Sequence, residues 1–249
     1  MAEIKTEAFI LRSIPFKETS KIVRLYTRDQ GKIAAIARGA SRPKSDFRGL
    51  LDPLNYMEVI IYFKESREVQ TLGEVELIKS FMQNSQDIDG LYYASAVLEA
   101  LDKFIDGTED NQLVFQLTKE VLTEIDSHES MAQALLVYYL LQLSGIMGYS
   151  INLDKCSLCG KGLESAYYNT GVDHLICEEC SHSDDLPIPS EQLDFFRKAI
   201  NSKPDGIDLE EYAGINFSQS GKFLLKYLGW HMEVSPVLKS LKTLSSLRM

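Results

Sequence analysis

Apolar and polar positions alternate with a period of two through the first 80 residues. Lys5–Leu11, Lys21–Thr27, Lys32–Arg38, Tyr56–Phe63 and Val69–Leu77 are β-branched or aromatic runs parted by turn-forming segments. This pattern predicts five short strands. Asp29-Gln30-Gly31 predicts a tight hairpin turn, with Gly31 at positive φ. After Ser80 the period lengthens. Leu91, Ala94, Leu98, Leu101 and Ile105 recur at three- and four-residue intervals, and Leu113, Leu117, Val121 and Ile125 every four, which predicts amphipathic helices over 90–106 and 111–125. Glu129–Gly148 is apolar almost all round and predicts a buried central helix. Ser190 reads as the N-cap of a helix carrying Leu193, Phe196 and Ile200. Helices are also expected over 218–230, started by Ser218, and over 235–247, with Pro236 in its first turn.

The fold class that follows is α+β. A five-stranded barrel over residues 1–80 precedes a helical domain over 81–249, which the segment 150–186 interrupts as an insertion. Among five-stranded barrels the oligonucleotide-binding (OB) fold is the commonest, and an SH3-like barrel is the alternative. Met131–Gly148 is free of charge and close to the lower length limit of a membrane span. Gln133, Gln142 and Ser144 interrupt it and no basic cluster flanks it, so a core helix is expected. Met1–Lys5 leads straight into strand-like alternation with no apolar leader. All four cysteines fall between 156 and 180, unlike the spread of a secreted disulfide scaffold. A cytoplasmic protein is expected.

Charge divides the chain more sharply than composition does. The net charge is −10, yet residues 12–48 hold ten basic and three acidic side chains. A basic N-terminal stretch therefore precedes an acidic remainder, and the position of charge outweighs its sum.

The cysteines are spaced Cys156-x2-Cys159-x17-Cys177-x2-Cys180, with Gly160 and Gly162 after the first pair. Two C-x-x-C knuckles brought together by a hairpin make a tetrahedral thiolate site, and zinc is the ion expected there. Four thiolates leave no open position for a catalytic water, so one structural zinc ion is the reading. A zinc deaminase would need H-x-E and P-C-x-x-C, which are absent, and a thioredoxin-like pair would need a βαβ setting. His174 and His182 lie close enough to act as substitute ligands, but thiolates already number four. His128 and His231 are isolated, and no nucleophile–base arrangement is evident.

Strand parity puts Arg24, Tyr26 and Arg28 on one face of the second strand, with Val23 and Leu25 on the other. Such basic–aromatic interleaving suits a surface that tracks phosphates and stacks bases. The loop Arg38-Gly39-Ala40-Ser41-Arg42-Pro43-Lys44-Ser45-Asp46-Phe47-Arg48-Gly49 adds four basic side chains on flexible backbone. That arrangement can follow a phosphate chain, and nucleic acid is the expected ligand.

Several of these segments carry a resemblance. Ile14-Pro15-Phe16-Lys17-Glu18-Thr19-Ser20, Leu25-Tyr26-Thr27-Arg28 with Gly31, Ala37-Arg38-Gly39-Ala40-Ser41-Arg42-Pro43-Lys44-Ser45, Arg48-Gly49-Leu50-Leu51 and Leu72-Gly73-Glu74-Val75-Glu76 together resemble the pattern of the bacterial RecO recombination-mediator family. The resemblance implies a non-enzymatic protein of the RecF pathway, with an N-terminal OB fold, a helical domain and a zinc module. It further implies binding to single- and double-stranded DNA, annealing of strands coated with single-strand DNA-binding protein, and loading of the RecA recombinase with RecR. Carried over residue by residue, the basic positions Lys17, Arg38, Arg42, Lys44 and Arg48 transfer. Arg24, Tyr26 and Arg28 rest on strand parity alone. The family docks the acidic tail of single-strand DNA-binding protein on its helical domain, so in so acidic a region such a site must be locally basic. Some members lack the cysteines, which agrees with a structural role for zinc. The rival reading is a zinc-ribbon adaptor whose barrel binds protein. An enzyme is disfavoured by the absence of a phosphate loop and of any open metal site.

Overall fold

The computed structural model describes residues 2–83, 85–106, 111–169 and 174–248. Five strands, β1 (Ala2–Phe16), β2 (Ser20–Thr27), β3 (Gly31–Ala37), β4 (Asn55–Phe63) and β5 (Val69–Ser80), close into a barrel in the order β1-β2-β3-β5-β4. β3 and β5 pair in parallel and the other neighbours are antiparallel. This is the OB arrangement rather than the SH3-like one. The period-two pattern produces it: Ala8, Ile10, Val23, Leu25, Met57 and Val59 point into a sealed core, and the residues between them face outward.

Two glycines shape the barrel. Gly31 takes φ +63° in the β2–β3 turn, as the sequence requires. Gly73 lies beneath Tyr62, and a Cβ there would stand 2.7 Å from the ring Cε2 and 3.1 Å from the Ile60 carbonyl oxygen. Gly73→Ala is expected to cost about 1–3 kcal/mol through overpacking, read as a lower midpoint in urea unfolding.

Six helices follow: α1 (Ile88–Phe104), α2 (Asn111–Ser127), α3 (Ala132–Ile146), α4 (Ser190–Asn201), α5 (Ser218–His231) and α6 (Lys239–Leu247). A small sheet in the order β7-β6-β8, formed by β6 (Ala166–Asn169), β7 (His174–Ile176) and β8 (Leu186–Ile188), interrupts them. Four details differ from the sequence pattern. Leu91, in the first turn of α1, and Leu113 are exposed, at 42% and 59%; the strict four-residue repeat that begins at Leu113 drifts round the helix by about 40° per step and turns the end of its stripe outward. Residues 129–131 form a separate 3-10 turn before α3. Ser190 is the first residue of α4 rather than its cap, and Pro189 holds the cap position without capping through its side chain; α5 starts at Ser218 as expected. Pro236 precedes α6 instead of entering its first turn. Among the described residues, no helix is long and apolar enough to cross a membrane.

The chain divides into two compact units. One contains residues 1–86 and 98–119, the other 87–97 and 120–249. The boundary differs from a cut at residue 80 because the end of α1 and the start of α2 pack on the barrel. Phe115 of α2 lies 4.9 Å from Phe9, and the Asn111 side-chain amide donates to the Thr27 carbonyl at 2.9 Å. In the other unit α3 is the most buried helix, with Leu135, Leu136, Val137, Tyr139 and Leu140 at its centre.

Candidate nucleic-acid interface and metal centre

The outer face of β2 is closed. Tyr26 is fully buried, and burial pushes its hydroxyl pKa above the ordinary tyrosine value. Its cross-strand partner Phe9 is also buried, as is Tyr56 on β4 opposite Phe9. The three rings form a stripe across β2, β1 and β4, covered by Phe115 and Phe81. The basic residues of this face have acidic partners. Arg24 donates to both Asp102 carboxylate oxygens at 3.0 and 3.1 Å, Arg28 pairs with Glu7 and Asp29, and Lys32 pairs with Asp106. Parity placed Arg24, Tyr26 and Arg28 on one outer face correctly. The expectation that this face is open is corrected, because strand parity carries no information about which helix lies on it.

The open basic surface is at one end of the barrel. Lys21 on β2 pairs with Ala37, the last residue of β3, so the β1–β2 turn bearing Lys17 lies beside the start of the 38–54 loop. The Ser41 N–H donates to the Thr19 carbonyl at 2.9 Å and ties the two together. The loop is a chain of tight turns, Arg42 to Gly39, Ser45 to Arg42, Arg48 to Ser45 and Leu50 to Phe47. It is pinned by Ala40 and Leu51 in the barrel core, with Phe47 and Leu50 packed against it. The Asn55 amide holds the Gly49 and Leu50 carbonyls. Gly39 takes φ +74° beneath the folded Arg42 side chain. With its apolar residues fastened inward, the loop turns Arg38, Arg42, Lys44 and Arg48 to solvent, and Lys17 is exposed beside them. None of these five has a carboxylate within ion-pair distance among the described residues; Lys17 instead lies over the Phe16 ring at 5.4 Å. The geometry adds Lys21, which strand parity did not single out.

The four cysteines converge. Their sulfurs all lie within 4.8 Å of one another, and Cys159 and Cys177 are 3.6 Å apart. A tetrahedral ion with sulfur ligands at about 2.3 Å sets its ligands about 3.8 Å from each other, so the set fits one zinc ion. Gly160 at φ +73° lets its N–H close the first knuckle onto the Cys156 carbonyl, and Cys180 closes the second onto Cys177. Burial raises the Cys156 thiol pKa, but backbone N–H groups of Cys159, Cys177 and Leu158 outweigh it and bring it to about 6, whereas the Cys159 and Cys177 sulfurs beside Cys180 push that thiol up. Polar hydrogens aimed at a sulfur favour the thiolate a metal needs. His174 begins β7 and His182 follows the second knuckle; neither joins the cluster. Residues 170–173, between β6 and β7 in sequence, lie outside the described residues. The ribbon is tied into its unit by Tyr168, 4.5 Å from Phe223 of α5, and by Arg197 of α4, which donates to the Leu153 and Leu163 carbonyls at 2.8 and 2.7 Å.

A half-open groove of about 400 Å³ crosses the helical unit. Leu136, Val137, Phe217, Leu225, Leu238 and Leu241 line it, and Lys222 and Lys242 stand exposed on its rim. Arg248, also on the rim, is engaged by Asp89. A local count shows the signal: residues 218–248 hold five basic side chains and one acidic, in a unit otherwise rich in acid.

The sequence matches two family models, one described as "Recombination protein O N terminal" over residues 1–81 and one as "Recombination protein O C terminal" over residues 85–241. The chain belongs to the recombination protein O family. Curated relatives carry the name DNA repair protein RecO. That of Caldanaerobacter subterraneus subsp. tengcongensis is 27% identical over 236 residues, covering 94% of this chain and 95% of the relative. That of Listeria monocytogenes serotype 4a is 27% identical, over 91% and 95%. That of Listeria welshimeri is 31% identical, over 72% and 69%. Membership places the protein in DNA repair and recombination, and the first family model ends at the close of the barrel.

Proposed function

We propose that the protein is a non-catalytic mediator that binds single- and double-stranded DNA and anneals strands coated with single-strand DNA-binding protein. Loading of RecA with RecR is part of the same reading. The observation that carries it is the barrel end, where Lys17, Arg38, Arg42, Lys44 and Arg48 stand exposed without carboxylate partners on a protein of net charge −10. Binding there neutralises phosphates and releases counterions. The zinc ion, held by Cys156, Cys159, Cys177 and Cys180, is structural in this reading; when bound it supplies a crosslink between the two knuckles and no chemistry. The apolar groove rimmed by Lys222 and Lys242 is the site proposed for the acidic tail of single-strand DNA-binding protein. Charge complementarity supports it, since two lysines border an apolar trough in an acidic unit.

One annealing experiment separates these parts. The full chain is expected to speed annealing of complementary strands, both bare and coated with single-strand DNA-binding protein. The double change Lys222→Glu and Lys242→Glu should keep the acceleration on bare strands and lose it on coated ones. If the unaltered chain fails on bare strands across a salt series, the mediator reading is wrong. If the double variant performs equally on coated strands, the groove assignment is wrong.

A further inference from the structure

We infer that the basic barrel end holds DNA by its phosphates alone and leaves the bases free to pair, because the barrel's own stacking platform is permanently closed. The inference rests on the DNA-binding reading above and specifies which part of the nucleic acid is recognised.

OB barrels that bind single strands combine a basic groove with exposed aromatic rings on which bases stack. This barrel has both ingredients on one outer face. Phe9, Tyr26 and Tyr56 are cross-strand neighbours there, flanked by Arg24, Arg28 and Lys32. The chain's own residues occupy the places a strand would take. Phe115 lies near-parallel to Tyr26, at 17° with ring centroids 6.3 Å apart, and covers the face a base would need. Asp102 and Asp106 sit on Arg24 and Lys32, as phosphates would.

Exposing the stripe would bare Phe9, Tyr26, Tyr56, Phe81 and Phe115, each at most 3% exposed. Five rings would lose their burial, whereas only the three on the sheet could be covered again by stacked bases, so opening costs more apolar burial than it returns. The closed face is therefore part of the fold rather than a gate. Among the described residues of the barrel unit no aromatic side chain stands fully exposed; Phe16, Phe47, Tyr62 and Phe63 are half-buried. At the basic end itself, Phe47 packs toward the core and the Phe16 ring lies beneath Lys17.

A grip on phosphates alone has two consequences. It does not discriminate single from double strands by their bases, and it presents a bound strand with its Watson–Crick edges turned away from the protein. Both suit annealing. Bases stacked on aromatic rings would first have to be released.

The test compares binding of the full chain to a single-stranded oligonucleotide and to an abasic strand of the same length and charge. The affinities are expected to agree within about threefold at each salt concentration. A loss of tenfold or more on the abasic strand would overturn the inference, since bases would then carry binding. Failure to bind either strand would instead sink the DNA-binding reading on which it rests. Trp230, the lone tryptophan and 71% exposed on α5, gives a second readout. Quenching of its emission by the normal strand but not by the abasic one would also overturn the inference.

Discussion

Replacing Cys156 and Cys177 by serine is expected to lower the melting temperature of the full chain by about 8–16 °C, the shift that a loss of about 4 kcal/mol produces in a protein of this size. Stoichiometric zinc should disappear from the purified protein at the same time. The ribbon has little else to hold it. Its three strands are four, three and three residues long, too short to stand as an isolated sheet. Its buried residues Leu163, Tyr168, Leu175 and Ile176 must be fixed by the knuckles before Tyr168 can reach Phe223. Metal binding in such a module is folding free energy. DNA binding measured well below the lowered melting temperature should persist, because the basic end belongs to the barrel unit. The ribbon's charge supports this. Residues 150–186 carry seven acidic side chains and two lysines, and Lys161 is paired with Glu179. Lost DNA binding in a variant with unchanged melting would mean that the ribbon itself touches DNA. Retained zinc and unchanged melting would mean that the four thiols are not its ligands.

Local pattern and global arrangement were legible in the sequence to different degrees. Runs of β-branched and aromatic residues located all five strands, and the alternation within β1 and β2 follows from a barrel interior that admits Ala8, Ile10, Val23 and Leu25. The cysteine spacing located the cluster because two knuckles and a hairpin constrain each other covalently. What alternation could not reveal was the fate of the outer face. Tyr26 and Arg24 read as a nucleic-acid surface, and their chemistry suits one. Their partners Phe115 and Asp102 lie 89 and 78 residues away, a separation no local period reports. The same blindness applies to the groove, whose walls come from α1, α3, α5 and α6. The loop at 38–49 was legible for the opposite reason. Most of its turns bond within the loop and its basic side chains point to solvent, so their exposure follows from the local sequence.

That difference between an open loop and a closed strand face predicts how binding responds to salt. Five phosphate contacts, from Lys17, Arg38, Arg42, Lys44 and Arg48, give a slope of about −4.5 for log affinity against log salt on duplex DNA. Affinity should then fall about 500-fold between 50 and 200 mM salt. The triple variant Arg38→Gln, Arg42→Gln and Lys44→Gln removes three contacts and should flatten the slope to about −1.8, a fall of about 12-fold over the same range. At 50 mM salt the variant should bind about three orders of magnitude more weakly than the unaltered chain. Its folding should be little changed, as all three side chains are exposed and lack ion-pair partners. Arg24→Gln is the matched control. Its guanidinium is committed to Asp102, so its loss should leave both slope and affinity within about threefold. Fluorescence anisotropy with a labelled duplex, run across the salt series for all three proteins, decides the matter. A slope that follows Arg24 rather than the loop would move the DNA from the barrel end to the strand face and require the aromatic stripe to open.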